Sequence, residues 1–405
     1  VNRTFAGVAV GLTAVLAAIG LLTGDEAEPK GEAPEGTSVA QAARGVERVR
    51  ELEFERLPRV KHVSGAQARR DGLRELDRGV TPRALATEES LLKLLGLIPP
   101  RASLRELLGK ALSNEVGGYY VPRTQTLSIV GAGGALGLVG EVTLAHELTH
   151  ALEDQHFGID AGPATGFRRD RGVADSALRE GTATVAMVDY LVRKQGGGKD
   201  IPASLRGRAL KELADIALPA SSGLPRYVRE GLVFPYAAGA QLVNRIEGRG
   251  GWGAVDRAFG PDAPVSSEQI MHPRAYEGRE RPRRVRVPSL ASALPAGAER
   301  VGQGDIGEFD TEQLLREANG RALSRRAATG WGGGAFALWR LPGGRDVLAA
   351  RWVWDTARDT REFERAAART ARALGGAAAL GAGRTVALAV APRRAEALAR
   401  LALGG

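Results

Sequence analysis

The chain opens on an unbroken apolar run, Phe5–Leu22, with one basic residue, Arg3, ahead of it. A run with no polar face predicts a membrane anchor or signal segment over residues 1–23 rather than a buried helix. Thr23-Gly24-Asp25-Glu26 offers no small-x-small cleavage pattern, which favours an uncleaved anchor. Arg3 on the short side and acids on the other predict a cytoplasmic N-terminus and a body outside. Residues 24–38, rich in Gly, Pro, Glu, Lys and Ser, read as a disordered tether.

From Val39 the pattern becomes globular. Helical spacing marks Gln41–Glu53, Gly65–Arg78, Pro82–Leu97 and Leu104–Leu112, the last with Ser103 as N-cap; Arg59–Val63 reads as a short strand. Gly117–Pro122 and Thr126–Val130 form a predicted β-hairpin, with Pro122 pointing to an edge strand open to an extended peptide. Gly131–Gly140 is a Gly-rich turn; no Lys-Ser/Thr follows it, so it is not a phosphate loop. A helix then runs from Gly140 to Phe157 and stops at Gly158. After a loop, Ile159–Gly172, helices are expected at Val173–Arg193, Leu205–Leu218, Tyr227–Glu247 and Trp252–Phe259.

The tail has another rhythm. Ala335–Leu341 and Val347–Trp354 read as paired strands, Thr360–Leu374 as a helix, Thr385–Val390 as a strand and Arg394–Leu403 as a last helix. This ββαβα order predicts a small α+β domain over 291–405, beside a mostly helical domain over 39–290. Trp331, Trp339, Trp352 and Trp354 all fall in the tail, as core or as a protein-contact face.

Composition narrows the chemistry. The 405 residues are 43% hydrophobic and 25% charged, as in globular proteins. The net charge of +9 is scattered, with no basic stripe interleaved with aromatics, which argues against nucleic acid as a partner. There is no Cys, so disulfides and Cys-ligated zinc are excluded, and any metal must be held by His and carboxylates.

The Gly140–Phe157 helix carries His146-Glu147-Leu148-Thr149-His150, an HExxH pentapeptide. Residues four apart share a helix face, so both imidazoles can reach one metal ion, with Glu147 beside it as a base. Val142, Leu144, Ala145, Leu148, Ala151 and Leu152 make the helix apolar on more than one side, which predicts burial. Buried His and Glu need partners or a metal.

Two residues compete as third ligand. His156 stands at the last position of the HExxHxxGxxH spacing, but Glu153 replaces the Gly that would turn the chain back. Glu180 lies on the next helix, where Gly181 and Ala183 permit close approach of that helix to the first. The pattern favours Glu180.

Ala145–Phe157 followed by Leu178-Arg179-Glu180-Gly181-Thr182-Ala183 resembles gluzincin-type zinc metallopeptidases, and more narrowly a group of bacterial envelope proteins with an HELTHALxDQHF helix. The resemblance is strong over about 115–195 and extends less specifically through Gly250-Gly251-Trp252 and Ser267–Pro273. It implies a zincin-like core, Zn2+ held by His146, His150 and Glu180, and Glu147 as general base. Many gluzincins carry an Asp four residues after the ligand Glu; this chain has Thr184, so Asp175 or Asp189 would have to orient a ligand His.

The expected activity is zinc-dependent hydrolysis of peptide bonds in a peptide or protein substrate, outside the cytoplasm, with a zinc-bound water activated by Glu147. His272 is the expected oxyanion donor, with Tyr276 and Tyr119 as alternatives. The competing expectation is an envelope-anchored binding or scaffold protein with a structural or vestigial metal site. The expected location is the cell envelope, membrane-anchored through the N-terminal segment, or the exterior.

Overall fold

The computed structural model describes residues 38–114, 117–130, 138–158, 169–194, 201–220 and 223–404. The expected anchor, nearly all of the tether, and most of the Gly131–Gly140 turn and the Ile159–Gly172 loop lie outside them. Ser38, expected as the tether's last residue, instead caps the first helix in a capping box with Gln41. Among the described residues no helix is long and apolar enough to cross a membrane.

The fold is α+β, mostly helical with two small sheets. The first part runs α1 (Val39–Arg50), β1 (Arg59–Val63), α2 (Gly65–Gly79), α3 (Pro82–Leu94), α4 (Leu104–Asn114), β2 (Gly118–Val121), β3 (Thr126–Val130), α5 (Leu138–Phe157), α6 (Arg169–Lys194), α7 (Ala203–Ala220) and α8 (Arg226–Ala258). Ser64, Thr81 and Ser103 each accept a backbone N–H of the first turn of the helix that follows, which fixes where α2, α3 and α4 begin. α8 combines the two helices expected there: Gly250 and Gly251 leave helical geometry, Gly251 with φ 64°, and separate Trp252–Ala258 from the longer part.

β2 and β3 form the expected hairpin, turned by a 3-10 step at Pro122–Thr124 with Gln125 left-handed. β1 adds in parallel on the far side of β3, giving the order β1-β3-β2, so β2 is an edge. α5 continues straight through Glu153 to Phe157 and ends at Gly158, which takes φ 61°. Its residues Val142, Leu144, Ala145, Leu148, Ala151 and Leu152 are all buried, in one cluster with α1, the hairpin, α6 and α8. Behind it Arg50 is wholly buried: its Nε lies 3.3 Å from Glu153, its Nη2 2.9 Å from Asp256, and its guanidinium 4.3 Å over the Trp252 ring.

Two short helices, α9 (Ser267–Met271) and α10 (Pro273–Glu277), lead to the second part: β4 (Glu299–Asp305), α11 (Glu308–Ala328), β5 (Trp331–Arg340), β6 (Asp346–Trp354), α12 (Ala357–Ala373), β7 (Gly376–Gly381), β8 (Thr385–Val390) and α13 (Ala395–Ala402). Its five strands are antiparallel in the order β4-β5-β6-β8-β7. The expected ββαβα elements are present, extended by β4, α11 and β7.

Both faces of this sheet are covered. Ala337, Trp339, Val347 and Ala389 pack under α13. Phe336, Leu338, Leu348, Trp352 and Leu388 pack under α12, in a cluster that also takes in Leu91 and Leu92 of α3 and Leu104, Leu107 and Leu108 of α4. The four tail Trp are core residues. One apolar layer therefore runs from the α3–α4 helices into the C-terminal sheet, across the expected boundary at residue 291.

Candidate metal centre

α5 presents His146 and His150 one turn apart, and α6 packs against it and presents Glu180. His146 Nε2 and Glu180 Oε2 are 3.2 Å apart, His150 Nε2 and Glu180 Oε2 3.3 Å, and the two Nε2 atoms 3.2 Å. All three residues are buried. Four donors set tetrahedrally at roughly 2.0–2.1 Å from Zn2+ stand about 3.3 Å from one another, so the three atoms already have the spacing of a shared zinc ion. Among the described residues Glu180 Oε1 and His150 Nδ1 have no hydrogen-bond partner.

Burial alone would raise the Glu180 carboxyl, but the His150 and His146 imidazoles hold it well below the usual carboxylate range. Burial would lower His150; Glu180 overrides it and pushes the imidazole up to about 9. In the metal-free chain the group therefore carries a proton that a divalent cation would displace.

Glu147 is wholly buried. Burial, with Glu180 adding to it, raises its carboxyl against the pull of His150, His146 and the Tyr120 amide. Oε2 accepts the Tyr120 N–H at 2.8 Å, and Oε1 has no partner among the described residues. The outward amide of edge strand β2 thus meets Glu147. Gly118 lies as close: a Cβ there would stand 3.5 Å from Glu147 Cγ.

His156, the competing ligand, is exposed and its Nε2 lies 2.8 Å from the Glu53 carbonyl. The helix carries it past Glu153 and off the metal face. His272 is not a member of the group; its Nε2 meets Glu308 Oε1 at 2.8 Å. Tyr119 donates to Asp71, and Tyr276 packs among Asp262, Arg279 and Arg257. Neither Asp expected to orient a ligand His is seen doing so: Asp189 pairs with Arg206, and Asp175 lies 3.9 Å from Arg171.

Gly181 also works differently from expectation. Its built Cβ would stand 2.3 Å from the Gly239 carbonyl carbon, so it lets α6 approach α8 rather than α5. That contact brings Tyr236 of α8 to the site, its ring stacked on His146 at 5.8 Å and 22°. Tyr236 escaped the sequence reading; its one signal is Phe234-Pro235-Tyr236, a proline amid a helix. Tyr236 and Glu180 line a cleft of about 890 Å³, its open mouth included, with Leu92, Leu108, Val228 and Phe309 as apolar wall.

Residues 294–400 match a family described as a domain of unknown function, DUF8575. No curated protein and no solved structure matches the chain. The match spans the second sheet with its helices and leaves out α5 and α6, so the reading of the metal centre rests on its own geometry.

Proposed function

We propose that this chain is a zinc-dependent peptidase with a zincin-like core, its metal held by His146, His150 and Glu180. The observation that carries the reading is the mutual spacing of 3.2–3.3 Å among the ligand atoms of three buried residues. The donor set fits: two imidazoles and a carboxylate suit Zn2+, and no thiolate competes. Bound there, Zn2+ would supply Lewis-acid polarisation of a carbonyl and an acidified water.

The protein's own part follows from placement. Glu147 Oε1 accepts the proton of the attacking water as its oxygen bonds to the peptide carbonyl carbon. The C–N bond then breaks, and Glu147 hands that proton to the leaving amine. The Tyr120 N–H holds the carboxylate's other oxygen, which fixes its direction. Tyr236 takes the oxyanion role first expected of His272, since its ring lies against His146 and lines the cleft. The apolar cleft wall receives substrate side chains.

A closed structural site is the second reading, favoured by the near-complete burial of all three ligands. A casein or peptide-library digest separates the two. The peptidase reading expects cleavage abolished by chelator, restored by Zn2+ and absent in Glu147→Gln. A chain holding one zinc that cleaves nothing at any pH from 5 to 9 overturns it. The N-terminal segment, a location outside the cytoplasm and membrane attachment belong to the same proposal.

A further inference from the structure

The seam between α9 and the second sheet holds another convergence of acids. Glu268 of α9, Glu280 after α10 and Asp355 at the end of β6 each bring a carboxylate oxygen within 4.8 Å of the others. Glu268 is the telling member. It is only 4% exposed, and its carboxylate has neither a hydrogen bond nor an ion pair among the described residues. Burial, with Glu308, Glu280, Asp355 and Asp170 around it, pushes that carboxyl up to about 9. Glu308 beside it is itself wholly buried; His272 meets its Oε1, and its Oε2 has no partner among the described residues. The positive groups here are His272 on Glu308, Arg283, whose Nη2 lies 2.9 Å from Asp355 Oδ1, and Arg384, whose Nη1 donates to the Asp355 carbonyl. Of these acids Glu268 and Glu308 are buried while Asp355 and Glu280 reach the surface, and Glu268, with no cation paired to it among the described residues, requires a proton or a bound cation.

We propose that Glu268, Glu280 and Asp355 form a Ca2+ site that clamps α9 and the segment after α10 to the end of β6. Oxygens on opposite sides of a Ca2+ at about 2.4 Å are about 4.8 Å apart and adjacent ones are closer, so the cluster has the span this ion needs. An all-carboxylate set selects a hard cation over zinc, and the exposed flank at Glu280 leaves room for the waters that complete six to eight ligands. Arg283 holds Asp355, one of the ligating acids. This site shares no residue with the metal centre on α5 and α6.

The test uses the full-length chain dialysed free of Ca2+, read by tryptophan-excited Tb3+ luminescence competed with Ca2+, and by thermal melts. One Ca2+ per chain is expected, with Tm rising by roughly 3–6 °C at a hundredfold excess over Kd. Glu268→Gln should weaken Ca2+ at least tenfold and abolish the Tm rise. Its Ca2+-free Tm should equal or exceed that of the unaltered chain, because Gln needs no proton taken up on folding in the absence of the cation. Glu280→Gln, on the exposed flank where folding is not at stake, should also weaken Ca2+ at least tenfold. Neither variant should change the metal content at His146. No Ca2+ binding up to about 10 mM, or Ca2+ binding kept undiminished in either variant, overturns the proposal.

Discussion

The backbone N–H of Tyr120 donates to Oε2 of Glu147 at 2.8 Å, tying the edge strand of the first sheet to the motif helix. A Gln at position 147 retains a carbonyl oxygen for that bond but cannot accept the proton of an attacking water. Glu147→Gln should therefore keep its fold and full zinc content, with Tm unchanged or raised. Peptide hydrolysis should fall by about 10²–10⁴-fold. Elemental analysis and a fluorogenic peptide assay on one preparation check this; retained turnover removes Glu147 as base.

Gly239 is the second sensitive point. A Cβ there would meet the Ala177 carbonyl oxygen at 1.9 Å, and backbone cannot swing aside as a flexible side chain can. Gly239→Ala should push α8 off α6, destabilise the protein by about 1–3 kcal/mol or more, and reduce zinc content because Glu180 sits one turn from Ala177. Urea melts and zinc analysis read the two effects; an unchanged midpoint would show that the helices part without loss.

Arg50 and Glu153 form a buried pair behind the HExxH helix. Burial pushes the Glu153 carboxyl up to about 7 even though Arg50 pulls it down. Arg50→Met leaves the carboxyl uncompensated and should be destabilising by about 3–5 kcal/mol. Adding Glu153→Gln should restore part of that loss, as a double-mutant cycle in urea would show; strict additivity would mean that the two do not interact.

Asp170 predicts a pH dependence. It is buried, and burial with Asp305 and Asp310 pushes it up to about 7 despite its bonds from Ser267. The folded chain then keeps a proton that the unfolded chain releases near pH 4. Stability from this group therefore falls as pH rises from about 4 to 7 and levels off above, by up to about 4 kcal/mol. Melts at pH 5 and pH 8 should differ less in Asp170→Asn than in the unaltered chain; equal differences would mean that Asp170 ionises normally in the fold.

Local pattern carried the HExxH helix, the hairpin and the central strands into view because each has a strong period and a chemical or turn signal. The strands that pattern did not disclose, β4 and β7, are the two edges of the second sheet. Glu299–Asp305 is polar with two Gly, and Gly376–Gly381 is Gly and Ala but for Leu380; an edge strand has one neighbour and needs no apolar alternation. α11 was missed for another reason. Gly320 breaks it with φ 69°, so Leu314 and Leu315 before the break and Ala327 and Ala328 after it fall out of phase. Within the site, HExxH disclosed three members and the small residues beside Glu180 a fourth. Tyr236 and the Tyr120 amide were invisible, since a stacking contact and a backbone direction exist only once α8 and β2 are placed.

The apolar layer shared by α3, α4 and the second sheet decides how the molecule would come apart. Glu280–Leu290 carries neither helix nor strand and most of it is exposed, so it is the natural place for a protease to nick. Severing it would not free the two pieces, because Leu92 and Leu108 would still be seated against the partners of Leu348 and Leu388. The tail expressed alone would instead show that greasy surface to water and stick to its own kind, so it should be co-expressed with the N-terminal helices as its lid.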